Sequence, residues 1–388
     1  PSMISSLRVV WTHPPTRGVA LVFSLVSLFV GSWFARIPAV QAALGLTEAT
    51  LGLVLLGMPL GTLLVMPLSG WLVARWGAGP VTFITALGQG VPFLFLPVVG
   101  SGVALAGVLM GAGMVNGVLN VAMNARANAV EEVREVPIMS TCHGFFSIGG
   151  MVGAGVGSAA AAVELSLGAQ FALLVVLGGA VVLAHRDVLV GGPTTQQTGP
   201  VFAVPSPALA GIAALLFCIL FGEGAVSNWS AVYLRKALGA SAGLAGLGYA
   251  AFSAAMALGR LYGDRLQERF STRRLVQTGA LLACLGLGTG VLIGHPVSGI
   301  AGFFVQGLGF AILVPVLYRT AARTSGMAPG ASIAAVASAG YIGLFTGPPL
   351  LGFVAETMGL AEAVGLVALL AGVVALAAGP VLRHPETA

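Results

Sequence analysis

The sequence predicts an all-α membrane protein with twelve transmembrane helices in two pseudo-symmetric six-helix bundles. Three observations lead there: the composition, the number of apolar runs, and the side on which the basic residues fall. Of 388 residues, 57% are hydrophobic and 7% charged, with a mean hydropathy of +1.00. An ordinary soluble domain carries about 25% charged residues, and no soluble core absorbs this much apolar surface. A bilayer interior offers no water to unpaired backbone groups, so long apolar segments there are helices or closed barrels. Uninterrupted runs of about 20 residues favour helices, and the alternation of a barrel strand is absent.

Boundaries set by Gly, Pro and charge give six runs near 18–38, 49–73, 80–99, 102–125, 138–162 and 167–184. The stretch Arg186 to Pro207 follows, with four Pro, three Gly and no sustained helical period, and reads as a loop. Six more runs lie near 208–233, 243–263, 274–294, 297–318, 330–354 and 361–382. The expected domains are therefore an N-terminal bundle over 1–186, a cytoplasmic linker over 187–207 and a C-terminal bundle over 208–388.

Basic residues orient spans, because Lys and Arg concentrate in short cytoplasmic loops. With the N-terminus inside, Arg8, Arg17, Arg75, Arg126, Arg134, Arg186, Arg260, Arg265, Arg269, Arg273, Arg274, Arg319, Arg323 and Arg383 fall on the cytoplasmic side. Only Arg36, Arg235 and Lys236 fall outside or near it. A miscount in the middle would invert every later loop, so the even count and the orientation support each other. Both termini are expected in the cytoplasm and the protein in a bacterial inner membrane. Pro1 and Ser2 precede Met3 with no charged n-region and cleavage site after them, so the first run is expected to be retained as a span.

A shift of 194 residues places Leu44-Gly45 on Leu238-Gly239 and Arg75-Trp76 on Arg269-Phe270, and brings Trp33 within two positions of Trp229. Such an echo is what a duplicated six-helix unit produces, although chance matches between Leu/Gly/Ala-rich strings produce it too. Cys142, Cys218 and Cys284 are far apart and each lies in an apolar run, which argues against a disulfide framework. The net charge of +5 is scattered through short loops and forms no patch for nucleic acid. No phosphate-binding loop, metal-ligand cluster or nucleophile triad is present, so an ATP-driven pump or an enzyme lacks its chemistry and no cofactor is expected.

Twelve spans, a 6+6 repeat and a central loop resemble the major facilitator superfamily over nearly the whole chain. That family carries a Gly-x-x-x-Asp-Arg-x-Gly-Arg-Arg-like signature between its second and third helices. Here Gly70, Arg75 and Gly77 match, while Ala74 replaces the acid and the final basic pair is missing. The second-half counterpart, Gly259 to Arg274, keeps more charge through Asp264, Arg265, Glu268 and Arg269. The resemblance implies a cytoplasmic latch at these loops, with Arg75, Asp264, Glu268 and Arg269 as gating candidates; plain loop anchoring accounts equally for each. A Gly-x-x-x-Gly-Pro-like string marks antiporters of the family in span five, but here it lies in span eleven, from Gly343 to Gly352. The runs around Arg36, Asn120 to Asn124 and Glu223 to Ser230 resemble a bacterial branch distantly related to fucose permeases, which implies a sugar-like or other small organic solute.

Ionisable groups within spans are costly and usually face a bundle interior or a wet cavity. Glu223 lies past the middle of span seven between Gly222 and Gly224. A carboxyl that is neutral or charged according to access can couple protons to solute, so Glu223 is the first candidate; permanent pairing with a cation such as Arg36 is the structural alternative. Arg36, in the outer third of span one, either binds an anionic group, partners Glu223 or snorkels to the interface. Asn116, Asn120 and Asn124 recur every four residues on one stripe of span four. Spans one, four, seven and ten line the cavity in the resembled family, so Asn116 and Asn120 are solute candidates and Asn124 a gate, unless the amides are helix-to-helix glue. Gln306 in span ten and Asn228 in span seven extend the solute list. Trp33 and Trp229 add aromatic faces suited to a sugar or aromatic solute, or else mark membrane depth. His143 near the inner end of span five is a second proton candidate, or a packing histidine.

The expected function is secondary active transport of a small organic solute by alternating access, coupled to protons, by a monomer in the lipid bilayer. The alternatives are a proton-driven exporter of amphipathic compounds and a transporter-like sensor or lipid-handling protein.

Overall fold

The computed structural model describes residues 12–134, 138–191, 205–324 and 328–382. Arg8, Arg383, the linker residues 192–204 and the side chains of Arg134 and Asp264 lie outside the described residues. Twelve helices among the described residues are long and apolar enough to cross a membrane. They are α1 (Pro14–Leu44), α2 (Glu48–Trp76), α3 (Ala78–Val98), α4 (Gly102–Val133), α5 (Met139–Ala162) and α6 (Leu167–Ala184), then α7 (Pro207–Ala237), α8 (Ala242–Gly263), α9 (Thr272–Ile293), α10 (Pro296–Thr324), α11 (Gly330–Met358) and α12 (Leu360–Val381). The helices form two compact units, one built on α1–α6 and one on α7–α12, with Thr47–Gly52 from the start of α2 grouped with the second.

The helix boundaries follow from local chemistry. Ser166, Ser241 and Ser271 cap helices by accepting the backbone N–H of Ala169, Leu244 and Arg274. Gly45 stops α1 in the left-handed region at φ 60°, and Gly239, which is 194 residues later, adopts φ 66° after α7. The repeat suggested by Leu44-Gly45 and Leu238-Gly239 is thus realised as the same chain reversal in both units.

The packing repeats as well. In the first unit α1 lies along α5 and α2 along α4; in the second α7 lies along α11 and α8 along α10. Glycines set these approaches. A Cβ on Gly157 of α5 would sit 2.7 Å from the carbonyl oxygen of Ser32 on α1, and Gly149 and Gly153 meet the carbonyls of Ser24 and Leu28 more closely still. Gly343 on α11 meets the Phe217 carbonyl of α7 in the same way. Without a hydrophobic drive between helices in lipid, such backbone-to-backbone contact supplies the dispersion energy of association.

Two expectations are corrected. Arg186–Val190, read as loop, is a short helix, because Leu189 buries itself to 1% exposure and packs over Gly18 of α1. Arg126, counted as a loop cation, lies inside α4 at 3% exposure. It donates from Nη2 to the carbonyl of Val188 at 3.0 Å and to that of Gly191, so it holds the short helix against the first unit.

Candidate functional site

The second unit gathers its polar side chains around Glu223. Gly222 and Gly224 flank it on α7. A Cβ on Gly224 would lie 2.6 Å from the Leu344 carbonyl of α11, and one on Gly222 2.8 Å from the Phe310 ring of α10. These two glycines draw neighbouring helices in at the level of the carboxyl. Glu223 is partly buried, and its Oε1 is fully buried without a hydrogen-bond partner among the described residues. Arg260 on α8 lies within electrostatic reach of the carboxyl, as do Tyr249 of α8 and Tyr318 of α10. Tyr249 also shares side-chain hydrogen bonds with Ser253 and Ser227, and Tyr341 of α11 adjoins Tyr318. Ser227 is tied to the Glu223 backbone carbonyl at 2.8 Å.

Arg260, expected on the cytoplasmic side, lies in the last turn of α8, within electrostatic reach of an acid. The cation next to Glu223 within its own unit is therefore Arg260. Within the second unit a guanidinium and two phenols are thus brought within electrostatic reach of one carboxyl.

Other candidates of the second unit lie nearby on the same helices. Gln306 is fully buried, with neither amide atom hydrogen-bonded among the described residues. An amide left in that condition is costly unless something visits it. Trp229 is 2% exposed and donates from Nε1 to the Pro348 carbonyl at 3.1 Å. It borders a cavity with room for about one water, shared with Ser230, Phe303 and Val367. Asn228 turns back to its own helix, donating to the Gly224 carbonyl at 2.9 Å.

In the first unit the candidates are dispersed. Arg36 is 7% exposed and donates from Nη2 to the Leu165 carbonyl at 2.8 Å. It is buried in the unit and does not reach out to the surface as a snorkelling arginine would. Its Nε and Nη1 have no hydrogen-bond partner among the described residues. Trp33, at 1% exposure, lies 6.5 Å from Phe93, which stacks on Phe171 at 5.0 Å, so this indole belongs to a packed aromatic core. Asn116 is partly buried and Asn120 exposed. Asn124 donates to the Asn120 carbonyl at 2.8 Å, which makes the lower part of the stripe a self-bonded pair. His143 is exposed and meets Phe23 edge-on, 5.3 Å between ring centres.

Arg75, Glu268 and Arg269 are all exposed. The cross-link described from the second-half motif is made by a neutral residue: Gln267 Oε1 accepts from Arg319 of α10 at 2.8 Å. Asp264 lies in the same helix, its side chain outside the described residues.

Sequence reasoning missed Tyr249, Tyr318 and the role of Arg260. The signal for Arg260 was present, since it falls inside the apolar run 243–263. The tyrosines carried no comparable signal, because a phenol inside a span is common at interfaces. Also missed was the pair Ser32 and Gln170 in the first unit, a buried 2.7 Å hydrogen bond between α1 and α6.

Comparison with known proteins gives a consistent set of relatives. The sequence pattern of the Major Facilitator Superfamily matches residues 212–388. An uncharacterized MFS-type transporter of Yersinia pestis is 36% identical over 365 residues, covering 94% of each chain. The membrane protein MosC of Rhizobium meliloti is 29% identical over 94% of this chain and 90% of its own. Among solved structures, a variant of the nucleoside transporter NupG matches with a TM-score of 0.75 at 16% identity, covering 95% of this chain and all of that one. A bacterial homolog of the human lysosomal transporter Spinster, inward-facing and occupied, gives 0.75 at 15% identity over 95% of this chain and 96% of its own.

Proposed function

This chain belongs to the major facilitator superfamily and is a multi-pass transporter of a small solute rather than an enzyme, and from that premise we propose that it is a proton-coupled carrier working by alternating access. Glu223 is the proton-carrying group. The single observation that supports this reading is the placement of its carboxyl, with a buried, unpartnered Oε1 and with Arg260 and Tyr249 in electrostatic reach. An intramembrane acid in such a setting can exist in two protonation states, which a permanently bonded structural acid cannot.

Asn116 and Asn120 of the first unit, and Gln306 and Asn228 of the second, are the proposed amide contacts for the solute. Arg36 is proposed as a further donor to the solute, and the buried Trp33 and Trp229 as stiff backing. Arg75, Asp264, Glu268, Arg269 and Asn124 are the proposed cytoplasmic gate. The protein works as a monomer in a bacterial inner membrane with both termini in the cytoplasm.

The test uses purified protein in liposomes. A metabolite library is first screened by thermal shift, since a solute that binds the folded state raises Tm by mass action. Uptake of each hit is then measured with and without an inward proton gradient. The expected result is accumulation driven by the gradient in the native protein and only passive equilibration in Glu223→Gln. Gradient-driven accumulation that survives Glu223→Gln shows the proton site to be elsewhere.

A further inference from the structure

We infer that the second unit carries a docking surface for an anionic phospholipid where the α8–α9 turn meets the ends of α10 and α12. This goes beyond the transport reading and holds whichever residue carries the proton. It starts from a difference in charge between matching parts of the two units. Over residues 260–274 and 319–329 the second unit has seven arginines against two acids, Asp264 and Glu268. The segments 194 positions earlier, 66–80 and 125–135, have three arginines against three glutamates. Even with Asp264, Glu268 and Glu223 each balancing one arginine, four positive charges remain at this end of the second unit.

The packing gathers these cations from four helices. Arg319 of α10 donates from Nη1 to Gln267 Oε1 of α8 at 2.8 Å, which ties the two helix ends together, and Arg323 follows one turn later. Arg273, at the start of α9, lies over the end of α12: its Nη2 is 3.5 Å from where a Cβ on Gly379 would be. Arg265, Arg269, Arg273, Arg274 and Arg323 are exposed, and none is in an ion pair among the described residues. Arg273 and Arg274 also occupy the first turn of α9, which has no acid, although cations there oppose the helix dipole. An anionic partner relieves this accumulated repulsion. The neighbouring side chains say which kind. Leu261, Tyr262 and Phe270 are 44%, 57% and 46% exposed within the same segment, which joins two apolar spans. Guanidinium groups hold a lipid phosphate with paired N–H donors, while the aromatic and apolar side chains rest at the level where headgroups meet acyl chains. A soluble acidic partner would engage the arginines and leave those apolar side chains in water.

The test takes the purified full chain in detergent and titrates it with dioleoylphosphatidylglycerol. Zwitterionic dioleoylphosphatidylcholine, the chain-free headgroup glycerophosphoglycerol and soluble polyglutamate are the comparison probes. Native mass spectrometry counts bound lipid, and a photo-activatable phosphatidylglycerol maps contact by peptide. Several arginines near one anionic headgroup each contribute about fivefold, so phosphatidylglycerol is expected to bind about tenfold or more tighter than phosphatidylcholine. Label is expected in peptides from 261–274 and 319–323 and not in 66–80. Arg273→Gln/Arg274→Gln is expected to weaken phosphatidylglycerol binding by about tenfold or more, and Arg273→Lys/Arg274→Lys to retain most of it. Should the paired variant not fold, Arg323→Gln alone is expected to cost about fivefold. Equal binding of the two lipids, label spread equally to 66–80, or binding unchanged in these variants overturns the proposal. Tight binding of the chain-free headgroup or of polyglutamate, with no preference for the lipid, makes the partner a soluble one and overturns it as well.

Discussion

The two units pair their helices in the same order but surround the cations of their spans differently. In the first unit Arg36 and Arg126 each direct a guanidinium N–H at backbone carbonyls, Leu165 for one and Val188 with Gly191 for the other. Those carbonyls belong to chain just before and just after α6, outside its own hydrogen-bond ladder. A carbonyl does not titrate, so these particular bonds do not change with pH. In the second unit Arg260 lies within electrostatic reach of the Glu223 carboxyl and the Tyr249 phenol, groups whose proton can change. A buried cation bonded to backbone fixes a fold, and under the proposed function the partly buried Arg260 beside an acid belongs to the part that changes state.

The contrast breaks most visibly if protons are handled in the first unit. Glu223→Gln is expected to lower gradient-driven accumulation by about 100-fold, the scale on which a positioned acid or base acts. His143→Gln, at an exposed residue set edge-on to Phe23, is expected to leave it within about twofold. Equal losses in paired liposome uptake assays would place a proton relay in the first unit as well.

Helix approach offers a second comparison, inside the first unit. Gly153→Leu pushes a side chain into the Leu28 carbonyl of α1, whereas Gly155→Leu on the same helix meets open space. Overpacking against backbone costs about 1–3 kcal/mol, so Gly153→Leu is expected to lower Tm by several degrees and Gly155→Leu to leave it unchanged. Next in size is Arg126→Ala. It strips the donor from the Val188 and Gly191 carbonyls, at about 1–2 kcal/mol, while the response of uptake to the proton gradient stays as it was.

The fold was readable because its signals are long and redundant. Twelve apolar runs, a one-sided arginine distribution and the Gly45 and Gly239 echo each constrain the same topology. Glu223 stands out in the sequence for the opposite reason, as a lone acid between two glycines in an apolar run, and its proton role is the proposal made above. What sequence order hid was partnership. Arg260 lies 37 positions from Glu223 in the chain, and only the packing of α8 brings it close. The helix Arg186–Val190 was obscured by the Pro and Gly that follow it, although Val188, Leu189 and Val190 are a short apolar run of their own. Trp33 stood out as an aromatic face suited to a solute, and its burial among Phe93 and Phe171 is a property of three helices that no single segment declares.

The smallest expected effect concerns the ion pair within the second unit between Lys236 of α7 and Glu48, at the start of α2. The Lys236 side chain is 45% exposed and that of Glu48 18%, so water and salt screen the attraction. The same turn is also held by Glu356, whose Oε2 accepts the Ala49 N–H at 3.1 Å, and by the close approach of Gly352 to the Glu48 carbonyl. Exposed pairs contribute roughly 0–1 kcal/mol, and two further anchors share this load. Lys236→Gln is therefore expected to lower Tm by a degree or two at low ionic strength and by nothing measurable in about 0.5 M salt. A loss that persists in high salt would mean that the pair is sheltered from solvent and fixes the start of α2 by itself, and the second unit would then contain a structural cation of the kind seen in the first.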